Sequence, residues 1–163
     1  MLEKFNDKLM KAVNVIIVFS CAFLVLCITL QILTRFILKI PMAWTEEYAR
    51  YIFVWLTMFG SVKALREKSH IFVDIMEVVI KGKAARYSGI VADVISMLFF
   101  CILLYVSVPW TIKNFDVNTQ SIPEVSLGLF YSCIPIAAAL MLLFNFEVLI
   151  KRLAETSAQE TGE

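Results

Sequence analysis

WTEEYARYIFVWLTMFGSVKALREKSHIFVD, residues 44–74, decides how the rest of the chain is read. Tyr51 to Val62 carries no charge, while Glu46, Glu47 and Arg50 stand before it and Lys63, Arg66, Lys68, His70 and Asp74 follow it. A solvated helix repeats polar residues along one whole face, whereas an uncharged stretch with loaded ends has the pattern of a membrane span. Thr45 is expected to cap this helix through its hydroxyl, with Glu46 and Glu47 in the first turn, where the positive end of the macrodipole favours acids. The span is expected over residues 45–66.

The composition around this stretch agrees. The chain has 163 residues, one domain's worth, of which 60% are hydrophobic and 18% charged, too little polar surface to coat a soluble globule. Towards the N-terminus, residues 12–34 are uncharged for 23 positions. At about 1.5 Å per residue they cross a roughly 30 Å hydrocarbon core. No small-residue cleavage site follows, so this span reads as a retained anchor. Ahead of it, Lys4, Lys8 and Lys11 alternate with Leu2, Phe5 and Leu9, which predicts an amphipathic lead-in lying on the membrane surface.

Towards the C-terminus, residues 71–80 are too short to span, and Asp74, Glu77 and Lys81 share one face, so an interfacial helix is expected there. Two more spans follow at 87–112 and 125–146. Pro109 and Trp110 should close the third, and Pro135 should kink the fourth by leaving the carbonyl of Tyr131 without its helical partner. The expected architecture is an all-α integral membrane protein: one domain over 1–152 with four transmembrane helices and a short interfacial helix, then a polar tail over 153–163. Basic residues number eleven on the side shared by the termini and the 63–86 loop, against four on the other. Both termini are therefore expected in the cytoplasm, with residues 44–50 near the outer face.

Glu46, Glu47 and Arg50 are the sharpest cluster, because i, i+3 and i, i+4 spacing lets each acid meet the arginine where water thins out. Glu46, Arg50, Phe53, Thr57, Gly60 and Ala64 recur at steps of three and four and predict a seam that faces protein rather than lipid. Asp93 is expected near the headgroups, hydrated or paired with a lysine of the basic loop, with an ion pathway as the other reading. Ala85 and Gly89 form a second pair of small residues. Trp44, Trp55 and Trp110 read as interface anchors or packing residues. His70 is the only histidine, which argues against haem or metal chemistry, and a contact with Asp74 one turn on is its expected role. Cys21, Cys27, Cys101 and Cys133 lie singly in apolar runs and read as small buried hydrophobes. No catalytic, nucleotide-binding or nucleic-acid-binding motif stands out, so no enzyme activity and no cofactor are expected.

The order of features, four spans with W-x-E-E-x-x-R opening the second and R-x-x-x-H-I-x-V-D closing it, resembles the small membrane subunit, of DctQ type, of tripartite ATP-independent periplasmic (TRAP) transporters. Trp44, Glu46, Glu47, Arg50, Trp55, Gly60, Arg66, His70 and Asp74 carry the resemblance, joined by Ser121, Ile122 and Pro123 before the fourth span. It implies a multi-pass subunit of the bacterial inner membrane, partnered by a large M subunit and by a periplasmic substrate-binding protein, in lipid and without nucleic acid. It further implies sodium-driven import of an organic acid such as a dicarboxylate, a keto acid or a sialic acid, with sodium bound on the large subunit and this chain bracing it. The nine residues are then candidates for the subunit interface or for binding-protein docking. A membrane anchor of a redox or other enzyme complex, and an independent small transporter, are the readings set against it.

Overall fold

A computed structural model describes residues 2–40, 42–79 and 83–160, with side chains described over 6–40, 42–67 and 88–154. Five α-helices carry the described fold: α1 (Leu2–Ile32), α2 (Ala43–Val79), α3 (Lys83–Lys113), α4 (Leu127–Tyr131) and α5 (Cys133–Glu160). A π-helical turn, Leu33–Ile37, ends α1, and a 3₁₀ turn, Asn114–Asp116, ends α3. Three segments among the described residues are long and apolar enough to cross a membrane: Asn6–Ile37, Ser88–Asp116 and Leu127–Ala154. Glu46, Glu47, Arg50, Lys63 and Arg66 all fall within α2 and dilute its hydropathy, although α2 lies alongside α1 and α5.

Packing runs in the order α1, α2, α5, α3. At its centre α5 presents Cys133, Ala137, Met141 and Phe144, spaced by four, four and three, against Phe59 and Val62 of α2, with Val13 of α1 and Phe100 of α3 at the flanks. In lipid no hydrophobic force separates such surfaces from hydrocarbon, so close packing is what holds them. The small side chains of Cys133, Ala137 and Ala138, each fully buried, let α5 approach its neighbours. By contrast Val15, Val18, Phe19 and Leu26 of α1 and Val94, Ile95, Leu98 and Phe99 of α3 point outward, as lipid-facing residues do.

Several elements differ from expectation for local reasons. The lead-in over 1–11 is not a separate surface helix: residues 2–11 continue α1, and Leu9 and Met10 pack on the core. Asn6 is only 1% exposed there and donates to the Glu147 carboxylate of α5. Residues 71–79 likewise continue α2 instead of forming their own helix, since neither glycine nor proline stands between Arg66 and Val79; Ile80 lies outside the described residues. Pro109 does not end α3, which runs four residues further to Lys113. Of the cysteines, Cys27 and Cys133 are buried as expected, but Cys21 and Cys101 face outward.

Two breaks follow backbone chemistry closely. After α1, Lys39 adopts a left-handed conformation with φ 54°, and Ile40 N–H returns to the Thr34 carbonyl at 3.0 Å. Glycine is the residue that usually fills this helix-ending position, because a Cβ there meets the carbonyl oxygen. Lys39→Gly is therefore expected to stabilise the protein by about 1 kcal/mol, read as a raised melting temperature in detergent. The second break is at Ser132, between α4 and α5, three residues ahead of Pro135. Pro135 has no N–H for the Tyr131 carbonyl, as the sequence predicts.

Candidate functional site

Where a helix breaks at membrane depth, its freed carbonyls need partners from protein, since lipid offers none. Here they come from two neighbouring helices. Trp55 of α2 donates its indole N–H to the Phe130 carbonyl at 2.8 Å, and Thr111 of α3 donates its hydroxyl to the Tyr131 carbonyl at 3.4 Å. Trp55 is thus a hydrogen-bonding support of the α4–α5 break, a role that spacing alone did not reveal.

One and two turns before Trp55 on the same face stand Tyr51 and Glu47. The Tyr51 ring stacks on Phe130 with centroids 4.6 Å apart, and its hydroxyl donates to Glu47 Oε1 at 2.9 Å. Glu47 then reaches the connection between α3 and α4. Gln120 N–H donates to Oε1 at 3.1 Å and Ser121 N–H to Oε2 at 2.8 Å. A carboxylate facing two backbone donors makes charge-assisted bonds that hold the chain in one register.

The connection is itself well tied. Thr119 N–H bonds the Val125 carbonyl at 2.9 Å, Leu127 N–H bonds the Val117 carbonyl at 2.8 Å, and Ser126 caps α4 by accepting from Gly128 N–H at 3.2 Å. Gly128 sits so close to Phe115 that a Cβ would come within 2.6 Å of the ring. Residues 114–131 therefore form a stiff cap over one end of the bundle, gripped by the Glu47, Tyr51 and Trp55 ladder of α2.

A second polar group joins the helices at the opposite end. Arg66 of α2 meets Asp7 of α1 at 2.7 Å and Glu147 of α5 at 3.6 Å, and its guanidinium lies 4.9 Å from the Phe144 ring centroid. Lys151 pairs with Glu147 at 3.0 Å. On the far side of α5, Arg152 pairs with Asp93 of α3 at 2.9 Å, with side chains 10% and 14% exposed. Asn145 donates to the Asp93 backbone carbonyl at 2.8 Å. Arg152 can reach Asp93 because Gly89 leaves the path clear: a Cβ there would collide with the guanidinium. Among the described residues the partner of Asp93 is thus an arginine of α5, and the side chains of Lys68, Lys81 and Lys83 of the basic loop lie outside the described ones.

The nine residues singled out in the sequence divide cleanly. Glu47, Trp55 and Arg66 point inward and bind other helices of this chain. Trp44, Glu46, Arg50 and Gly60 lie along outer surfaces of α2, Trp44, Glu46 and Arg50 exposed and Gly60 half-buried. The expected pairing of Glu46 and Glu47 with Arg50 does not form. Glu47 is engaged by the cap, and no ion pair joins Glu46 or Arg50 to another described residue. The backbone of His70 and Asp74 belongs to α2, but their side chains lie outside the described ones. Tyr51 and Phe130 were missed, and the aromatic run after Arg50 was the only hint of them. Among the described residues no three of His, Cys, Asp and Glu gather as a metal site would require.

Four similarities bear on this arrangement. The family model for the DctQ component of tripartite ATP-independent periplasmic transporters matches residues 24–155, a region that includes the cap, its ladder and the Asp93–Arg152 pair. A TRAP transporter small permease protein of Haemophilus influenzae is 26% identical over 149 residues, covering 90% of this chain and 88% of the relative. The sialic acid TRAP transporter permease protein SiaT of Haemophilus influenzae is 30% identical over 121 residues, 71% of this chain and 18% of its own. The isethionate TRAP transporter permease protein DctMQ of Oleidesulfovibrio alaskensis is 30% identical over 100 residues, 60% of this chain and 16% of its own. The chain thus spans less than a fifth of these two longer relatives.

Proposed function

We propose a bracing role for this chain, which belongs to the DctQ component family of tripartite ATP-independent periplasmic transporters. In this reading it is the small permease subunit of a transporter in the bacterial inner membrane, and it holds a large M subunit in place. All four apolar or half-apolar segments span the bilayer, with both termini in the cytoplasm and the 114–131 cap on the periplasmic side, where the substrate-binding protein docks. The transported substrate is an organic acid and sodium drives its import, with substrate and sodium bound on the large subunit. The chain is not an enzyme and holds no cofactor.

The observation that carries the bracing role is how polar groups inside the bundle are engaged. Asp93, Arg152, Asn6, Glu147 and Arg66 are each tied to a neighbouring helix, a use that stiffens a bundle and leaves these groups unavailable to a passing ion. The two long relatives support a large partner, since over four-fifths of each lies outside the segment matched here. Affinity purification of the tagged chain from native membranes in mild detergent tests this directly. One large polytopic protein is expected in fixed ratio; recovery of the chain alone, as a homo-oligomer, would overturn the reading.

A further inference from the structure

In a membrane protein the surface left bare by its own helices normally reads as hydrocarbon-like, and on α1 and α3 it does. The outward face of α2 does not. Glu46, Arg50, Phe53 and Thr57 lie exposed, Phe53 at 55%, and Gly60 and Ala64 continue the line half-buried towards the other end. A Cβ built on Gly60 would meet nothing within 4 Å, so the glycine leaves an open notch rather than a contact within this chain. Beside the notch, the Thr57 hydroxyl donates to the carbonyls of Phe53 and Val54 at 3.0 and 2.9 Å, and Ser61 donates to the Thr57 carbonyl at 2.8 Å. The middle of the face therefore asks for close approach and not for new hydrogen bonds. Its cap-side end, with Glu46 and Arg50 unpaired among the described residues, asks for charge.

We infer that this face of α2 is the seat of one transmembrane helix of the large subunit, crossing α2 at Gly60 with a small residue of its own and meeting Glu46 and Arg50 with polar groups. The inference rests on the bracing role proposed above and adds the surface through which it acts. Two independent features commit it to that occupant. Small residues in a membrane helix permit backbones to approach until dispersion forces hold them, an advantage that lipid chains cannot use. Charged side chains at the outer end of the same face are complementary to a polar protein segment there. In the two long relatives the matched segment is part of a far longer polypeptide.

The open notch makes the test clean, because a Cβ added at Gly60 meets nothing within 4 Å in its own bundle. Gly60→Ile is expected to lower recovery of the large protein in the purification by roughly tenfold, with the melting temperature of the small subunit unchanged. Val94→Phe, on the outward face of α3, should leave recovery intact. Recovery of the large protein at normal levels with Gly60→Ile would overturn the surface and leave the bracing role standing. Absence of a large protein from the unaltered chain would overturn both. A photo-crosslinking residue placed at Thr57 reports independently of any folding defect: it should capture the large protein, and one at Val94 should not. Capture of lipid alone, or of a second copy of this chain, from Thr57 would refute the assignment.

Discussion

Arg152→Ala is expected to destabilise the protein by about 3–5 kcal/mol, the cost of leaving a buried charge without its partner. The Asp93 carboxylate lies within α3 at 14% side-chain exposure, and among the described residues Arg152 is the cation that meets it. Asp93→Ala should destabilise as well, by removing the carboxylate that the guanidinium meets. Asp93→Asn should be milder, because a carboxamide oxygen still accepts from Arg152. Replacing both residues by leucine removes both charges at once and is expected to be near neutral. Thermal melting in detergent reads all four variants. The double variant also separates structure from transport: if the pair only staples α3 to α5, uptake follows the amount of folded protein. Normal folding with uptake lost would put Asp93 on an ion pathway. Gly89→Ala belongs to the same series, since its methyl group would push the guanidinium off its path to Asp93.

This pair also shows where sequence reading stopped. The presence of an acid in an apolar span was legible, and so was the basic end of α5, but their meeting depends on α3 and α5 packing side by side in opposite directions. Gly89 was noted only as half of a small-residue pair, whereas its effect is to make room for a side chain of another helix. Features set by local backbone chemistry came through in part. Pro135 lies beside a real break at Ser132, but α2 begins at Ala43, ahead of Thr45, whose hydroxyl donates to the Met42 carbonyl at 2.8 Å instead of capping the helix. Helix continuity was harder. Charge at Arg66 suggested an end to the span, but a charged residue does not stop a helix as glycine or proline does, and α2 continues to Val79. Pro109 misled in the other direction, being accommodated inside α3 with exposed surface around it.

The two adjacent acids of α2 make the last contrast, because sequence gives them equal weight and structure does not. Glu47→Ala removes the acceptor for Gln120 N–H and Ser121 N–H together, and leaving a donor without a partner costs about 1–3 kcal/mol where water cannot replace it. Ser121 is half-buried and Gln120 exposed, so the loss falls mainly on Ser121. The expected result is local: amide exchange across 117–126 quickens by roughly tenfold or more, while the inner end of the bundle keeps its protection. Glu47→Gln should do nearly as much, since its NH₂ group would face backbone donors that need an acceptor. Tyr51→Phe should do less, because it leaves both carboxylate oxygens in place. Glu46→Ala touches no cap contact and should leave exchange in the cap unchanged, yet under the inferred seat for a partner helix it should weaken association with the large protein. Equal loosening of the cap by Glu46→Ala and Glu47→Ala would mean that the acids act as one charged patch, and the ladder from Glu47 through Tyr51 to Trp55 would not be what positions the cap.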